Sequence, residues 1–143
     1  MGITRFGRPM ADDAGNAEGK FGTPAILLAD DEEVVRNVGS DILNILGYPT
    51  ILASNGLEAA ALYAQRHDEI GLIILDWYMP GLSGREVLER VWNVDKDAKV
   101  LIASGLGPPK ELQDLMNSGH SIHLLQKPYL VKDLKDELAR LLK

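Results

Sequence analysis

Three carboxylates, a hydroxyl and an ammonium recur along this 143-residue chain, each at the end of a short apolar run. Asp30-Asp31 close Ala25–Ala29, Asp76 closes Leu72–Leu75, Ser104 closes Val100–Ala103, and Lys127 stands just beyond Ile122–Leu125. If these runs are strands of one sheet, the five side chains gather at one rim. Two carboxylates about 4 Å apart repel by roughly 4 kcal/mol at an effective dielectric near 20. Three together need counter-charge. Lys127 supplies one unit, and a divalent cation would supply the remaining two. Oxygen ligands without His or Cys favour Mg²⁺ or Mn²⁺ over zinc or copper. Cation, ammonium and hydroxyl would then clamp a phosphoryl group, and a carboxylate beside that clamp is a competent nucleophile for forming an aspartyl phosphate.

The elements that must position these residues are legible as two alternating patterns. Strand-length apolar runs lie at Ala25–Ala29, Thr50–Ala53, Leu72–Leu75, Val100–Ala103 and Ile122–Leu125. Between them come stretches of helical periodicity. Their expected buried stripes are Val34/Val38/Ile42/Ile45, then Leu57/Ala60/Ala61/Ala64, then Gly84/Val87/Leu88/Val91, then Leu112/Leu115/Met116, and last Val131/Leu134/Leu138/Leu141. Asn55 and Ser83 are expected N-caps, while Gly47, Gly71 and Gly119 are expected to stop elements. Five strands alternating with five helices imply an α/β fold, a doubly wound parallel sheet with helices on both faces. Runs that are continuously apolar rather than alternating agree with a sheet covered on both sides. Right-handed crossovers favour the flavodoxin-like strand order 2-1-3-4-5, with a ligand crevice at the carboxyl ends of the strands.

Composition narrows the class. Hydrophobic residues make up 45% and charged residues 25% of the chain, a balance that supports a packed core and excludes disorder as the dominant state. Cysteine is absent, which removes a disulfide scaffold, a thiolate metal site and a cysteine nucleophile. The net charge of −6 opposes direct nucleic-acid binding. The apolar runs are too short to cross a bilayer, and no basic-then-apolar leader opens the chain, so the expected location is the cytoplasm. Residues 1–23 are rich in Gly, Asp and Ala without periodicity and read as a flexible tail, a linker or an expression remnant, with one domain over 24–143.

The set Asp30-Asp31, Asp76-Trp77-Tyr78-Met79-Pro80-Gly81, Ser104-Gly105 and Lys127-Pro128 resembles the receiver domain of two-component response regulators, the CheY-like family. Any one piece is weak; the ordered combination is specific. The segment Leu124-Leu125-Gln126-Lys127-Pro128-Tyr129 is further similar to receivers attached to hybrid histidine kinases. The resemblance implies that Asp76 accepts a phosphoryl group from a phosphohistidine, with Ser104 and Lys127 contacting that group. It implies Mg²⁺ held by Asp31, Asp76 and the Tyr78 backbone carbonyl, with Asp30 acting mainly through water. Backbone N–H groups of Trp77 and Gly105 would complete the phosphate cradle, and the Lys127-Pro128 bond would be cis. Implied partners are a histidine kinase or histidine phosphotransfer protein and a downstream protein target, with homodimerisation on phosphorylation; nucleic acid and membrane are not expected partners. The chain closes with its fifth helix, so the expected output is a protein contact.

Blander readings stand beside each piece. Asp30-Asp31 alone serves as an N-cap, Asp76 as a turn residue, and Lys127 and Ser104 as loop residues; their joint placement is what argues for a site. His67, His120 and His123 share no metal-ligand spacing. Gly105-Leu106-Gly107-Pro108-Pro109 matches no nucleotide fingerprint, and its prolines are expected to open the fourth helix. Trp92 is expected to pack, Trp77 either packs or anchors a partner, and Glu58 and Arg66 are expected on a solvated face. Two positions depart from the family pattern: Leu124 occupies the place of the usual switch aromatic, and the bulky Tyr78 is expected to shield an aspartyl phosphate from water. The alternatives are a receiver-like protein adaptor that is never phosphorylated, and a small phosphohydrolase or flavin protein on a similar sheet. For the latter, no second acid stands two residues after Asp76 and no hydroxyl-rich phosphate loop is present.

Overall fold

The computed structural model describes residues 23–107 and 110–142. Most of the stretch read as a tail, and the Pro108-Pro109 pair expected to open the fourth helix, lie outside the described residues. The elements alternate as β1 (Ala25–Ala29), α1 (Glu33–Ile45), β2 (Thr50–Ala53), α2 (Gly56–Arg66), β3 (Ile70–Asp76), α3 (Gly84–Val94), β4 (Val100–Ser104), α4 (Lys110–Met116), β5 (Ile122–Gln126) and α5 (Val131–Leu141). The strands form one five-stranded sheet in the order β2-β1-β3-β4-β5, and every pairing is parallel. The expected topology is therefore the observed one. No helix among the described residues is long and apolar enough to cross a membrane.

The pleat of each strand divides its side chains between two cores. Leu27, Ile73, Leu75, Val100 and Ile102 face one side, where they meet Ala59 and Tyr63 of α2, Val87, Leu88 and Val91 of α3, and Leu112 and Leu115 of α4. Ile26, Leu28, Leu72, Ile74, Leu101 and Ala103 face the other, against Leu43 of α1 and Leu134, Leu138 and Leu141 of α5. Strands buried on both faces have no polar side to show, which is why their runs are unbroken in the sequence.

The stripes of α3, α4 and α5 are buried as expected, apart from partly buried Met116 at the end of α4 and exposed Val131 at the start of α5. Those of α1 and α2 are not. On α1 the buried residues are Gly39 and Leu43, whereas Val34 is 75% and Ile45 83% exposed. The reason lies at Gly39: a Cβ there would sit 2.9 Å from Leu28 Cδ2 and 2.8 Å from the Tyr129 hydroxyl. Helix and sheet meet across a residue with no side chain, so apolar periodicity misses the contact face. On α2 the buried set is Gly56, Ala59, Ala60 and Tyr63, while Leu57, Ala61 and Ala64 face outward. A Cβ on Gly56 would meet the Leu82 carbonyl at 2.8 Å, so α2 lies close against the segment leading into α3.

The caps behave as their residue types require. The Asn55 side chain accepts from Glu58 N–H, and Ser83 forms a reciprocal capping box with Glu86. Gly47 and Gly119 adopt positive φ after α1 and α4. Gly71 does not stop an element. It lies inside β3, where a Cβ would collide with Pro24 Cβ at 2.5 Å.

The burial pattern fixes the ranking of core substitutions. Leu43→Ala is expected to lower unfolding free energy by about 2–5 kcal/mol. Val34→Ser and Ile45→Ser are expected to shift it by no more than about 0.5 kcal/mol each. Equilibrium urea unfolding checks the order, and the reverse ranking would restore the stripe expected from periodicity.

Candidate functional site

Parallel pairing puts the carboxyl ends of β1, β3, β4 and β5 side by side. Asp30 and Asp31 follow β1, Asp76 is the last residue of β3, Ser104 is the last of β4, and Lys127 follows β5. Register carries the alignment further: Asp76 pairs with Ala103, and Ser104 pairs with Gln126. One carboxylate oxygen from each of Asp30, Asp31 and Asp76 lies within 4.8 Å of the others. Asp30 and Asp76 are buried, and Asp31 is exposed at the mouth.

Lys127 holds this cluster together. Its ammonium lies 2.7 Å from Asp30 Oδ2 and 3.3 Å from Asp76 Oδ2. The remaining oxygens of the two buried acids accept backbone N–H groups. Asp30 Oδ1 takes Glu32 N–H at 3.0 Å, and Asp76 Oδ1 takes Tyr78 N–H at 3.1 Å. Asp30 thus closes an Asx-type turn ahead of α1 and does not cap it, since the N–H it takes belongs to the N-cap residue Glu32, whose own side chain makes no cap bond.

One ammonium does not balance three acids. Burial pushes the Asp76 carboxyl above its ordinary pKa, and this outweighs the opposing pull of Lys127 and of the Tyr78 N–H. Burial also works against the Lys127 ammonium, but there the carboxylates of Asp30 and Asp76 prevail and raise its pKa. The site therefore keeps its cation charged while carrying more negative charge than it can comfortably bury. The donor set is all oxygen and the charge is uncompensated, which fits a hard divalent cation.

The other expected residues lie nearby with other engagements. The Ser104 hydroxyl donates to the Gly107 carbonyl at 3.2 Å and accepts Leu106 N–H at 3.2 Å, closing a turn of its own loop. Trp77 N–H donates to the Ala103 carbonyl at 3.2 Å, extending the β3–β4 ladder by one bond. Gly105 lies against Lys127, since a Cβ on it would stand 3.8 Å from Lys127 Cβ. Tyr78 is exposed, and the Lys127-Pro128 peptide is cis.

Trp77 is a packing residue: it is buried, and its ring lies where a Cβ on Gly84 would fall, 2.5 Å from Cε3. The indole pins the loop after β3 to the first turn of α3. Trp92 also packs, its ring stacked on His120 with centroids 3.7 Å apart. His123 lies within β5, where burial lowers its pKa. Glu58 makes more contacts than a solvated face requires, because it accepts both the N–H and the hydroxyl of Ser54.

Two residues at the site escaped sequence reasoning. Arg36 Nη1 donates to the Asp30 carbonyl at 2.8 Å. The phenol of Tyr129 rests against Gly39, its pKa raised by burial and then by the nearby Asp30 carboxylate. For Arg36 the available signal was spacing, since a long side chain at the end of the first turn of α1 can reach back over the strand end that precedes the helix.

The charge balance can be tested through stability. A buried carboxyl with a raised pKa holds its proton more tightly folded than unfolded, so its charged form opposes folding at neutral pH. Asp76→Asn is expected to raise the urea midpoint at pH 7 in metal-free buffer. Lys127→Met removes the shared cation and is expected to lower the midpoint, through a loss of about 3 kcal/mol in unfolding free energy.

Comparison with known proteins agrees with this geometry. A family model for the response regulator receiver domain matches residues 26–139. The chain is 29% identical over 117 residues to sporulation initiation phosphotransferase F of Bacillus subtilis, covering 82% of this chain and 92% of that one. It is 26% identical over 121 residues to sensor kinase CckA of Brucella abortus, covering 85% of this chain but only 13% of that much longer protein. Among solved structures it is similar to the CheX-CheY-BeF3-Mg complex from Borrelia burgdorferi, with a TM-score of 0.74 and 26% identity, covering 84% of this chain and 90% of that one. The receiver-domain model runs from β1 into α5 and so spans most of the sequence: the chain belongs to the response regulator receiver domains.

Proposed function

We propose that Asp76 is the phosphoacceptor of this receiver and that its donor is a phosphohistidine on a partner protein. The observation that carries the reading is the cluster of Asp30, Asp31 and Asp76, two of whose carboxylates, those of Asp30 and Asp76, share the Lys127 ammonium. In the transfer, an Asp76 carboxylate oxygen attacks phosphorus, a P–O bond forms, and the P–N bond to the donor imidazole breaks. The departing ring nitrogen takes a proton from water. Lys127, already 3.3 Å from Asp76, is placed to face a phosphoryl oxygen. Ser104 would have to leave the Gly107 carbonyl to reach that group, so its loop rearranges when the hydroxyl engages. The Trp77 N–H must likewise leave the Ala103 carbonyl to join the cradle, whereas Gly105 already lies beside Lys127.

Asp30, Asp31 and Asp76, with the Tyr78 carbonyl, are the groups that would hold Mg²⁺, and the Borrelia complex named above contains Mg²⁺ with a CheY protein. Bound there, the cation neutralises charge that builds up as phosphorus is attacked. A phosphate ester or acyl phosphate also carries negative charge that this acidic pocket would repel without it.

A protein donor and a protein target fit the exposed residues around the rim. Tyr78, Leu106 and Leu130 are exposed on the loops after β3, β4 and β5. These apolar side chains offer area to a macromolecule. Receiver domains are signalling domains rather than metabolic enzymes, and turnover of a free metabolite is not expected here.

Incubation with acetyl phosphate and Mg²⁺, followed by intact mass measurement, tests the assignment. The expected result is a gain of one phosphoryl group, lost in Asp76→Asn and with EDTA. No adduct from any small donor or phosphohistidine protein would favour the unphosphorylated adaptor, and an adduct retained in Asp76→Asn would move the site.

A further inference from the structure

Two of the three clustered carboxylates have partners of their own. Asp30 is held by Lys127 and Glu32 N–H, and Asp76 by Lys127 and Tyr78 N–H. Asp31 is different. It is exposed, and among the described residues its carboxylate makes no hydrogen bond or ion pair. Its place in the cluster therefore depends on its backbone. The peptide that supplies the Asp31 nitrogen is the one whose carbonyl belongs to Asp30. That carbonyl accepts Arg36 Nη1 at 2.8 Å, while the Asp30 N–H donates to the Ala53 carbonyl at 3.1 Å. The chain is thus pinned on both sides of Asp30, by β2 and by the first turn of α1.

We propose that Arg36 is a positioning residue for the divalent cation: by anchoring the Asp30 carbonyl, it keeps the Asp31 carboxylate in the cluster. The inference rests on the receiver reading above. Its sign separates it from plain electrostatics. A guanidinium close to a cation site repels the cation, so by Coulomb's law its removal should tighten binding. An anchor predicts the opposite, because Asp31 gains freedom that must be given up on binding.

The test is calorimetric titration of the full chain with MgCl₂ alone, without a phosphodonor, in wild type, Arg36→Ala, Arg36→Lys and Arg36→Gln. Far-UV circular dichroism and the urea midpoint check folding, and the Lys and Gln variants carry the comparison if Arg36→Ala does not fold. Loss of the anchor is expected to weaken Mg²⁺ binding about tenfold, as for other residues that orient metal ligands. Arg36→Lys, which keeps a donor and the charge, is expected to recover part of the loss. In an Asp31→Asn background the same Arg36 substitution is expected to cost less than about twofold, since residues acting through one another are not additive. Equal or tighter binding by Arg36→Ala, or a full tenfold loss persisting in Asp31→Asn, would overturn the proposal. A wild type that does not bind Mg²⁺ would instead bring down the cation assignment on which it rests.

Discussion

One ammonium facing two buried carboxylates is the interaction on which the rest of the structure depends. Asp30 and Asp76 arrive from neighbouring strands, β1 and β3, and would repel each other without Lys127 from beyond β5. Lys127 spans the rim to reach both, and Asp31 adds a third acid at the mouth. Pairing removes part of the cost of burying charge, but not all of it. Burial holds the Asp76 carboxyl above its ordinary pKa despite its lysine, and three clustered carboxylates stand against one ammonium. An all-oxygen donor set with that charge imbalance fits a hard divalent cation.

Keeping the acids in place takes a second layer of contacts, and this layer is built largely on missing side chains. Gly84 leaves room for the Trp77 ring, which fastens the loop carrying Tyr78 to α3. Gly39 leaves room for Tyr129 and Leu28, which bring α1 down onto the sheet beside the cis Lys127-Pro128 peptide. Backbone bonds complete the layer: Glu32 and Tyr78 N–H groups orient the two buried carboxylates, and Arg36 ties down the Asp30 carbonyl. The β4 loop is held differently. Ser104 bonds to its own turn, which leaves that loop able to exchange one set of partners for another.

Legibility followed the physics of each element. The strands were plain because a sheet covered on both faces needs unbroken apolar runs, and their ends placed the acids and the lysine within a residue of the observed boundaries. Helix α3 was plain for a related reason, since Val87, Leu88 and Val91 carry their burial in their side chains. Helix α1 misled because its closest contact with the sheet is made by Gly39, which has no hydropathy to read. Helix α2 misled because alanine suits either face, and only Tyr63 fixes which side is inside.

The linear chain by itself was enough to specify the parallel sheet, its strand order and the identity of the acidic rim, because those follow from apolar runs, short crossovers and the residue at each strand end. Folding alone decided which oxygens Lys127 would touch, how far Asp76 would be withdrawn from water, and that Arg36 and Tyr129 would join the site. Those outcomes depend on distances between residues far apart in sequence, as with Lys127 and Asp30. Spacing along a chain cannot encode such distances until the helices have settled against the sheet.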